Sequence, residues 1–229
     1  MVSKKEWVRE VHRVYEQMRK HREQYHTVVN DLDIVVFPDV FSPAYFTDSA
    51  WFAEVIPEIV GKRRLLEIGT GTGIVALSAA LAGASVTATD INPAAIRNAK
   101  ENFTRYGVDI SLYEGDMYGS IHQQKFDVIF WNHPFNRARR PVEDILLRAG
   151  FDYNYEGLEK YICGAQQYFT ENGIVLLGTG NFADIDEMRK ITSQNDYSLV
   201  LMRKCEVSLI EGSGISNEYR VYRFEKMKK

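Results

Sequence analysis

Glu67, Gly69, Gly71 and Gly73 stand in one alternating run, Glu67-Ile68-Gly69-Thr70-Gly71-Thr72-Gly73, at the end of an apolar stretch. Glycines at this density are needed where a backbone turns sharply and a ligand lies against it without a Cβ in the way. The spacing narrows the ligand. A dinucleotide fingerprint needs its third glycine at position 74, which is Ile74, and a P-loop needs a Gly-Lys-Ser/Thr ending, which is missing. A carboxylate just ahead of the glycines suits a ligand with an ammonium group better than a pyrophosphate. Asp90, followed by Ile91, comes seventeen residues after Gly73 and ends the next apolar run. An acid there can accept hydrogen bonds from both ribose hydroxyls. Asp116, followed by Met117, ends the run after that and can accept from an exocyclic adenine amino group. Singly, each acid reads equally well as a helix cap or a turn residue. Three of them around one glycine loop point to an adenosyl cofactor.

A second motif, Asn132-His133-Pro134-Phe135, closes the apolar run 126–131. With both motifs present, the chain resembles the class I S-adenosylmethionine-dependent methyltransferases. It looks like the branch with an Asn-Pro-Pro-Tyr/Phe-type motif, which methylates nitrogens on planar groups and includes adenine amino and release-factor glutamine methyltransferases. The resemblance covers roughly residues 40–225. It implies S-adenosylmethionine as the cofactor, with S-adenosylhomocysteine as the product and no metal. It also implies a methyl acceptor that is a protein glutamine or a nucleic-acid base.

The chemistry gives each motif residue an expected task. An amide or aryl amino nitrogen is a poor nucleophile because its lone pair is delocalised. Two acceptors aimed at its N–H groups hold it against the sulfonium methyl and favour pyramidalisation as charge develops. Asn132 supplies one acceptor, beside the cofactor, and the main-chain carbonyl of His133 the other. Pro134 stiffens the turn and Phe135 stacks on the planar group. Proline is usual where His133 stands. The change is tolerable if the carbonyl alone is used, and the alternative is that the imidazole acts as a base. In the glutamine-methyltransferase branch a stretch before the first sheet strand helps close the cofactor pocket. Phe41-Ser42-Pro43-Ala44-Tyr45-Phe46-Thr47-Asp48 holds that place, with Thr47 and Asp48 as candidate contacts. Arg137, Arg139 and Arg140 follow the motif closely. Arginine forks near an active-site mouth suit phosphate or carboxylate, and the competing reading is a solvated loop.

These residues need a scaffold that brings strand ends together. Short apolar runs at 64–68, 85–89, 109–113, 126–131 and 173–178 alternate with helical patterns near 73–82, 93–105 and 155–170. Such alternation argues for a parallel sheet covered on both faces. A helix near 183–194 and strands near 197–209 and 218–225 follow, the pair joined through Glu211-Gly212-Ser213-Gly214-Ile215 as an antiparallel edge hairpin. The expected fold is α/β: a doubly wound, mostly parallel seven-stranded sheet of Rossmann-like methyltransferase type.

Ahead of it, residues 3–26 read as an amphipathic helix with Ser3 and Glu6 at capping-box spacing, then 27–43 as an extended segment. A further helix starts at Thr47 or Asp48 and ends by Gly61. The expected division is 1–43, a lid or substrate-side extension, and 44–229, the methyltransferase domain.

Composition narrows the class. The 229 residues are 45% hydrophobic and 26% charged, with a net charge of −3, which is ordinary globular usage rather than that of a general nucleic-acid binder. Cys163 and Cys205 make no metal or disulfide pattern. The polar first residues and the lack of a run of about 18 apolar residues suggest neither signal peptide nor membrane span. A soluble cytoplasmic enzyme is expected. Two other readings share the sequence: a small-molecule N- or O-methyltransferase with the leading helix as lid, and a non-catalytic cofactor-binding protein of the same fold.

Overall fold

The computed structural model describes residues 3–122, 124–208 and 216–227. Helix α1 (Lys4–Met18) opens with the expected capping box: the Ser3 hydroxyl accepts from the Glu6 amide, and Glu6 Oε2 accepts from the Ser3 amide at 2.8 Å. The helix stops eight residues short of the expected end at 26. Strand β1 (Tyr25–Val29) pairs antiparallel with β2 (Leu32–Val36), Val29 opposite Leu32. Asn30 and Asp31 between them are both left-handed, with φ of 48° and 64°. That conformation matches the twist of flanking strands in a two-residue hairpin, and asparagine and aspartate tolerate it. The extended segment therefore begins as a hairpin.

Helix α2 (Asp48–Val60) follows, and then the alternation sets in: β3 (Arg64–Ile68), α3 (Ile74–Leu81), β4 (Ser85–Asp90), α4 (Pro93–Tyr106), β5 (Ser111–Glu114) and β6 (Phe126–Asn132). Two three-residue strands, β7 (Asn136–Ala138) and β8 (Phe151–Tyr153), pair with each other alone. The chain finishes with α5 (Glu156–Ala165), β9 (Phe169–Gly180), α6 (Ile185–Gln194), β10 (Tyr197–Ser208) and β11 (Ser216–Lys226). Seven strands form one sheet in the order β10-β11-β9-β6-β3-β4-β5. Pairings from β9 to β5 are parallel, while β11 runs antiparallel to both β9 and β10. The expected doubly wound sheet with its antiparallel hairpin is thus observed; the turn expected at 211–215 lies outside the described residues.

Alternation along the strands builds two cores. Leu65, Val128 and Phe130 face α2, α3 and α4, while Leu66, Ile129 and Leu177 face α5 and α6. Because the central strands β3, β4 and β6 are covered on both faces, their sequences read as largely apolar runs. A third cluster gathers the apolar stripe of α1 (Trp7, Val11, Val14, Tyr15 and Met18) against Phe46 and Leu146. The chain winds outward from β3 to β5, then crosses to β6 on the other side of β3. The crevice outside the carboxyl ends of β3 and β6 is the switch point, where open α/β sheets bind ligands.

Candidate active site

The loop after β3 takes its shape from three left-handed glycines, with φ of 66°, 58° and 84° at Gly69, Gly71 and Gly73. A Cβ on Gly73 would stand 2.5 Å from the Phe103 ring, so this position packs loop against helix. A Cβ on Gly71 would meet nothing within 4 Å; it would project into open space in the crevice. Asp90 grips the loop from β4, its Oδ2 accepting from the Gly71 amide and its Oδ1 from the Asn92 amide, each at 2.8 Å. Burial pushes the Asp90 carboxyl up, against these backbone N–H groups. Glu67 is 3% exposed and accepts from the Thr70 hydroxyl at 2.6 Å. Burial pushes its carboxyl up to about 8, partly opposed by Thr70 and the Ala76 amide. Among the described residues no cation pairs with it. A buried carboxylate with no counter-charge beside a backbone cradle fits a ligand that brings its own cation.

Asp116 stands half-exposed on the cavity rim and pairs with Lys160 at 2.8 Å. Ile91 and Met117 also line the cavity, Met117 in a left-handed conformation with φ 52°. Two residues not singled out in the sequence brace this region. Asn98 and Asn102, fully buried on one face of α4, bind the backbone of β2: their Oδ1 atoms accept from Phe37 and Val35 amides, and both Nδ2 groups donate to the Val35 carbonyl. Asn102 also donates to the Thr72 carbonyl of the glycine loop at 2.9 Å. Their signal in the sequence is a pair of amides four apart on a helix face otherwise made of Ala95, Ala99 and Phe103.

The second motif leaves the end of β6, next to the glycine loop. Asn132 Nδ2 donates to Asp48 Oδ2 at 2.8 Å. That bond fixes which way the amide points. Asn132 Oδ1 and Asp48 Oδ1 are both buried and have no hydrogen-bond partner among the described residues. Asp48 opens α2 and is 4% exposed, and burial pushes its carboxyl up. Its neighbour Thr47 bonds the Tyr219 hydroxyl at 3.0 Å. The His133 amide donates to the Gly178 carbonyl of β9 at 3.0 Å. The imidazole is buried between Trp131 and Tyr155, with Nε2 3.3 Å from Asp152 Oδ2. Pro134 is buried, and the Phe135 carbonyl accepts from the Tyr155 hydroxyl at 3.2 Å. The Phe135 ring lies 6.0 Å from that of Tyr219.

Both motifs open on one cavity of about 440 Å³. Glu67, the three glycine-loop residues Gly69, Gly71 and Thr70, Asp90 and Asp116 line one part; Asp48 and Asn132–Asn136 line the other. Helix α1 closes the second part with Trp7, Val11 and Tyr15. Trp7 is held by a bond from its Nε1 to Asn136 Oδ1 at 3.0 Å and by stacking on Phe182 at 4.4 Å. The arginines after the motif stand elsewhere. Arg137 points to Asp184 and Glu187 (3.9 and 3.6 Å), and Arg139 and Arg140 are exposed; none of the three lines the cavity. The cations that do are Arg148 and Lys160. Among the described residues no helix is long and apolar enough to cross a membrane.

Residues 31–187 match the family model of the methyltransferase small domain. The chain belongs to that family. A Methanocaldococcus jannaschii protein, described as a candidate protein N5-glutamine methyltransferase, is 32% identical over 152 residues, covering 64% of this chain and 75% of that one. The ribosomal protein uL3 glutamine methyltransferase of Burkholderia pseudomallei is 32% identical over 184 residues, 68% of this chain and 59% of its own. The release factor glutamine methyltransferase of Geobacter sulfurreducens is 32% identical over 165 residues, 65% of this chain and 56% of its own. The chain thus spans little more than half of these two bacterial relatives. Among solved structures, a T. thermophilus 16S rRNA methyltransferase in complex with AdoMet and guanosine superposes with a TM-score of 0.59. That match is 16% identical, covers 90% of this methyltransferase small domain protein and 50% of the other chain, and speaks to the fold. The expected class I methyltransferase family and Rossmann-like fold are borne out.

Proposed function

We propose that this chain is an S-adenosylmethionine-dependent N-methyltransferase acting on a planar amide or amino nitrogen, of a protein glutamine or a nucleic-acid base. S-adenosylmethionine supplies an electrophilic methyl group on a sulfonium. Glu67 would hold the ammonium of its amino-acid part, Gly69 and Gly71 its backbone-facing side, Asp90 with Ile91 the ribose, and Asp116 with Met117 the adenine, while Gly73, expected at the cofactor but packed on Phe103 away from the cavity, shapes the loop. The fit rests on the buried, unpaired Glu67 carboxyl and on the open space where Gly71 lacks a Cβ.

The observation that carries the acceptor chemistry is the locked Asn132 amide. With Nδ2 committed to Asp48, the bare Oδ1 is left to accept an N–H of the acceptor. The His133 carbonyl takes the other N–H, Phe135 stacks on the planar group, and Pro134 holds the turn. Acceptors fixed in advance stabilise charge as it develops on nitrogen, and alignment is worth up to about 7–11 kcal/mol. Names of the relatives support nitrogen acceptors of this kind: glutamine in all three of those above, with a guanosine-bound rRNA enzyme sharing the fold. The segment 1–43 serves as an acceptor-side extension of the domain 44–229. The placement of Trp7, Val11 and Tyr15 on the cavity supports that role and keeps a small flat acceptor as the second reading.

Methyl-labelled S-adenosylmethionine incubated with cell extract, then fractionated into protein, nucleic acid and small molecules, tests this reading. Label in one macromolecular pool with wild type and none with Asn132→Ala is the expected result. Label confined to small molecules overturns the macromolecular acceptor, and equal labelling by the variant overturns the role of Asn132.

A further inference from the structure

Methylating an uncharged nitrogen leaves it with one proton too many, and the roles above do not remove it. Asn132 Oδ1 and the His133 carbonyl accept hydrogen bonds but are far too weakly basic to keep a proton at neutral pH. We propose that Asp48 is the proton acceptor of the reaction, and that the acceptor nitrogen carries two hydrogens and is methylated once. The proposal rests on the reading of Asn132 given above.

Three observations place Asp48 for the task. Its Oδ2 is bonded to Asn132, so the carboxylate adjoins the group that holds the acceptor nitrogen. Its Oδ1 is buried with no partner among the described residues, as is Asn132 Oδ1, and both residues line the cavity. Native interiors rarely leave a buried carboxylate oxygen idle, and this one belongs to the side chain that fixes the amide holding the acceptor nitrogen. Burial also raises the carboxyl, and a base whose proton affinity is drawn toward neutrality is well matched to this work. Among the described residues no cation pairs with it. The titratable neighbour from α1 is Tyr15, whose hydroxyl is itself buried without a partner, and β6 presents the neutral Asn132. The backbone N–H groups of Asp48 and Ser49 at the start of α2 partly oppose that rise.

The balance is simple. Once methylated, the nitrogen holds its two hydrogens, the new carbon and a positive charge. One N–H bond breaks, its electron pair stays on nitrogen, and the proton passes to Asp48 Oδ1. Product release lets the carboxylic acid give that proton to water. The product retains a single N–H, so it cannot satisfy both acceptors and is a poor second substrate.

Asp48→Asn is the decisive variant, because an amide still accepts from Asn132 but holds no proton. It is compared with wild type, Asp48→Glu and Asn132→Ala, using the macromolecular pool labelled by wild type as acceptor and S-adenosylhomocysteine as binding probe. Asp48→Asn is expected to bind S-adenosylhomocysteine within about twofold of wild type. Its methyl transfer should fall on the order of a hundredfold, and it should lose the decline of rate at acid pH that wild type shows. Asp48→Glu should recover part of the rate together with the acid decline. In the cofactor-free protein, the infrared band of a buried carboxylic acid that grows on acidification should be weaker in Asp48→Asn by one group. The proposal falls if Asp48→Asn keeps the wild-type rate or the wild-type acid decline, or if wild type yields dimethylated product. If Asn132→Ala also retains full rate, the Asn132 reading falls with it; if only Asn132→Ala is inactive, that reading survives alone.

Discussion

Replacing Glu67 by glutamine should stabilise the cofactor-free protein while damaging cofactor binding, and the size of the first effect should depend on pH. Glutamine keeps the size of the side chain and an oxygen for the Thr70 hydroxyl. What it removes is a carboxyl lifted by burial from 4.5 to about 8. The folded protein therefore keeps a proton that the unfolded chain has already released, and stability falls as pH rises through that window. At about 1.4 kcal/mol per pH unit, the cost reaches about 3 kcal/mol by pH 7. Urea melts of cofactor-free wild type and Glu67→Gln should converge near pH 4 and separate with rising pH, the variant being the more stable. Asp48 and Asp90 are also raised by burial, but they are common to both proteins and cancel in the difference. S-adenosylhomocysteine affinity should drop about 10- to 100-fold in the variant, the worth of a hydrogen bond to a charged group. A stability difference that does not change with pH would refute the view of Glu67 as a buried carboxyl kept uncompensated for a cationic ligand.

Other outcomes follow from the same geometry. Asn102→Ala strands the Val35 amide and the Thr72 carbonyl, while the Val35 carbonyl keeps its bond from Asn98, so it should cost about 3 kcal/mol in a urea melt and weaken S-adenosylhomocysteine binding through the loop. Gly73→Ala puts a Cβ against Phe103 in a left-handed backbone and should lower stability by about 2–4 kcal/mol, read as a fall in Tm. Trp7→Ala should cost about 3–5 kcal/mol and raise KM for the acceptor, since Trp7 is both core and cavity wall. The triple change Arg137→Ala/Arg139→Ala/Arg140→Ala should leave methyl-transfer kinetics nearly unaltered, whereas Arg148→Ala should raise KM for an anionic acceptor, because Arg148, unlike those three, lines the cavity.

Elements whose signals are local were legible in the sequence. The glycine loop, the acids ending β3 and β4 and the apolar runs of a sheet buried on both faces are each encoded within about twenty residues. The end of α1 was not. Lys20, His21, Arg22 and Glu23 are all compatible with a helix, and what stops it is the pairing of Tyr25–Val29 with Leu32–Val36 around Asn30-Asp31. The extended character of that stretch was visible, but its turn was not recognised. The partner of Asn132 lies 84 residues away, and no periodicity announces such a contact. The arginines after the motif misled for a related reason: charge near a site in sequence says little about direction, and Arg137 turns to the acids at the start of α6 instead.

The amide of Asn102 touches the hairpin and the glycine loop at once, and this makes the leading segment mechanically inseparable from the cofactor loop. Such a tie limits how the chain can be rebuilt. Exchanging the first forty residues for another leader, in the hope of presenting a different acceptor, would also unfasten the loop that holds the methyl donor. Acceptor preference in a molecule wired like this is more readily altered by changing single side chains on the inner face of α1, with the hairpin and its two asparagines left in place.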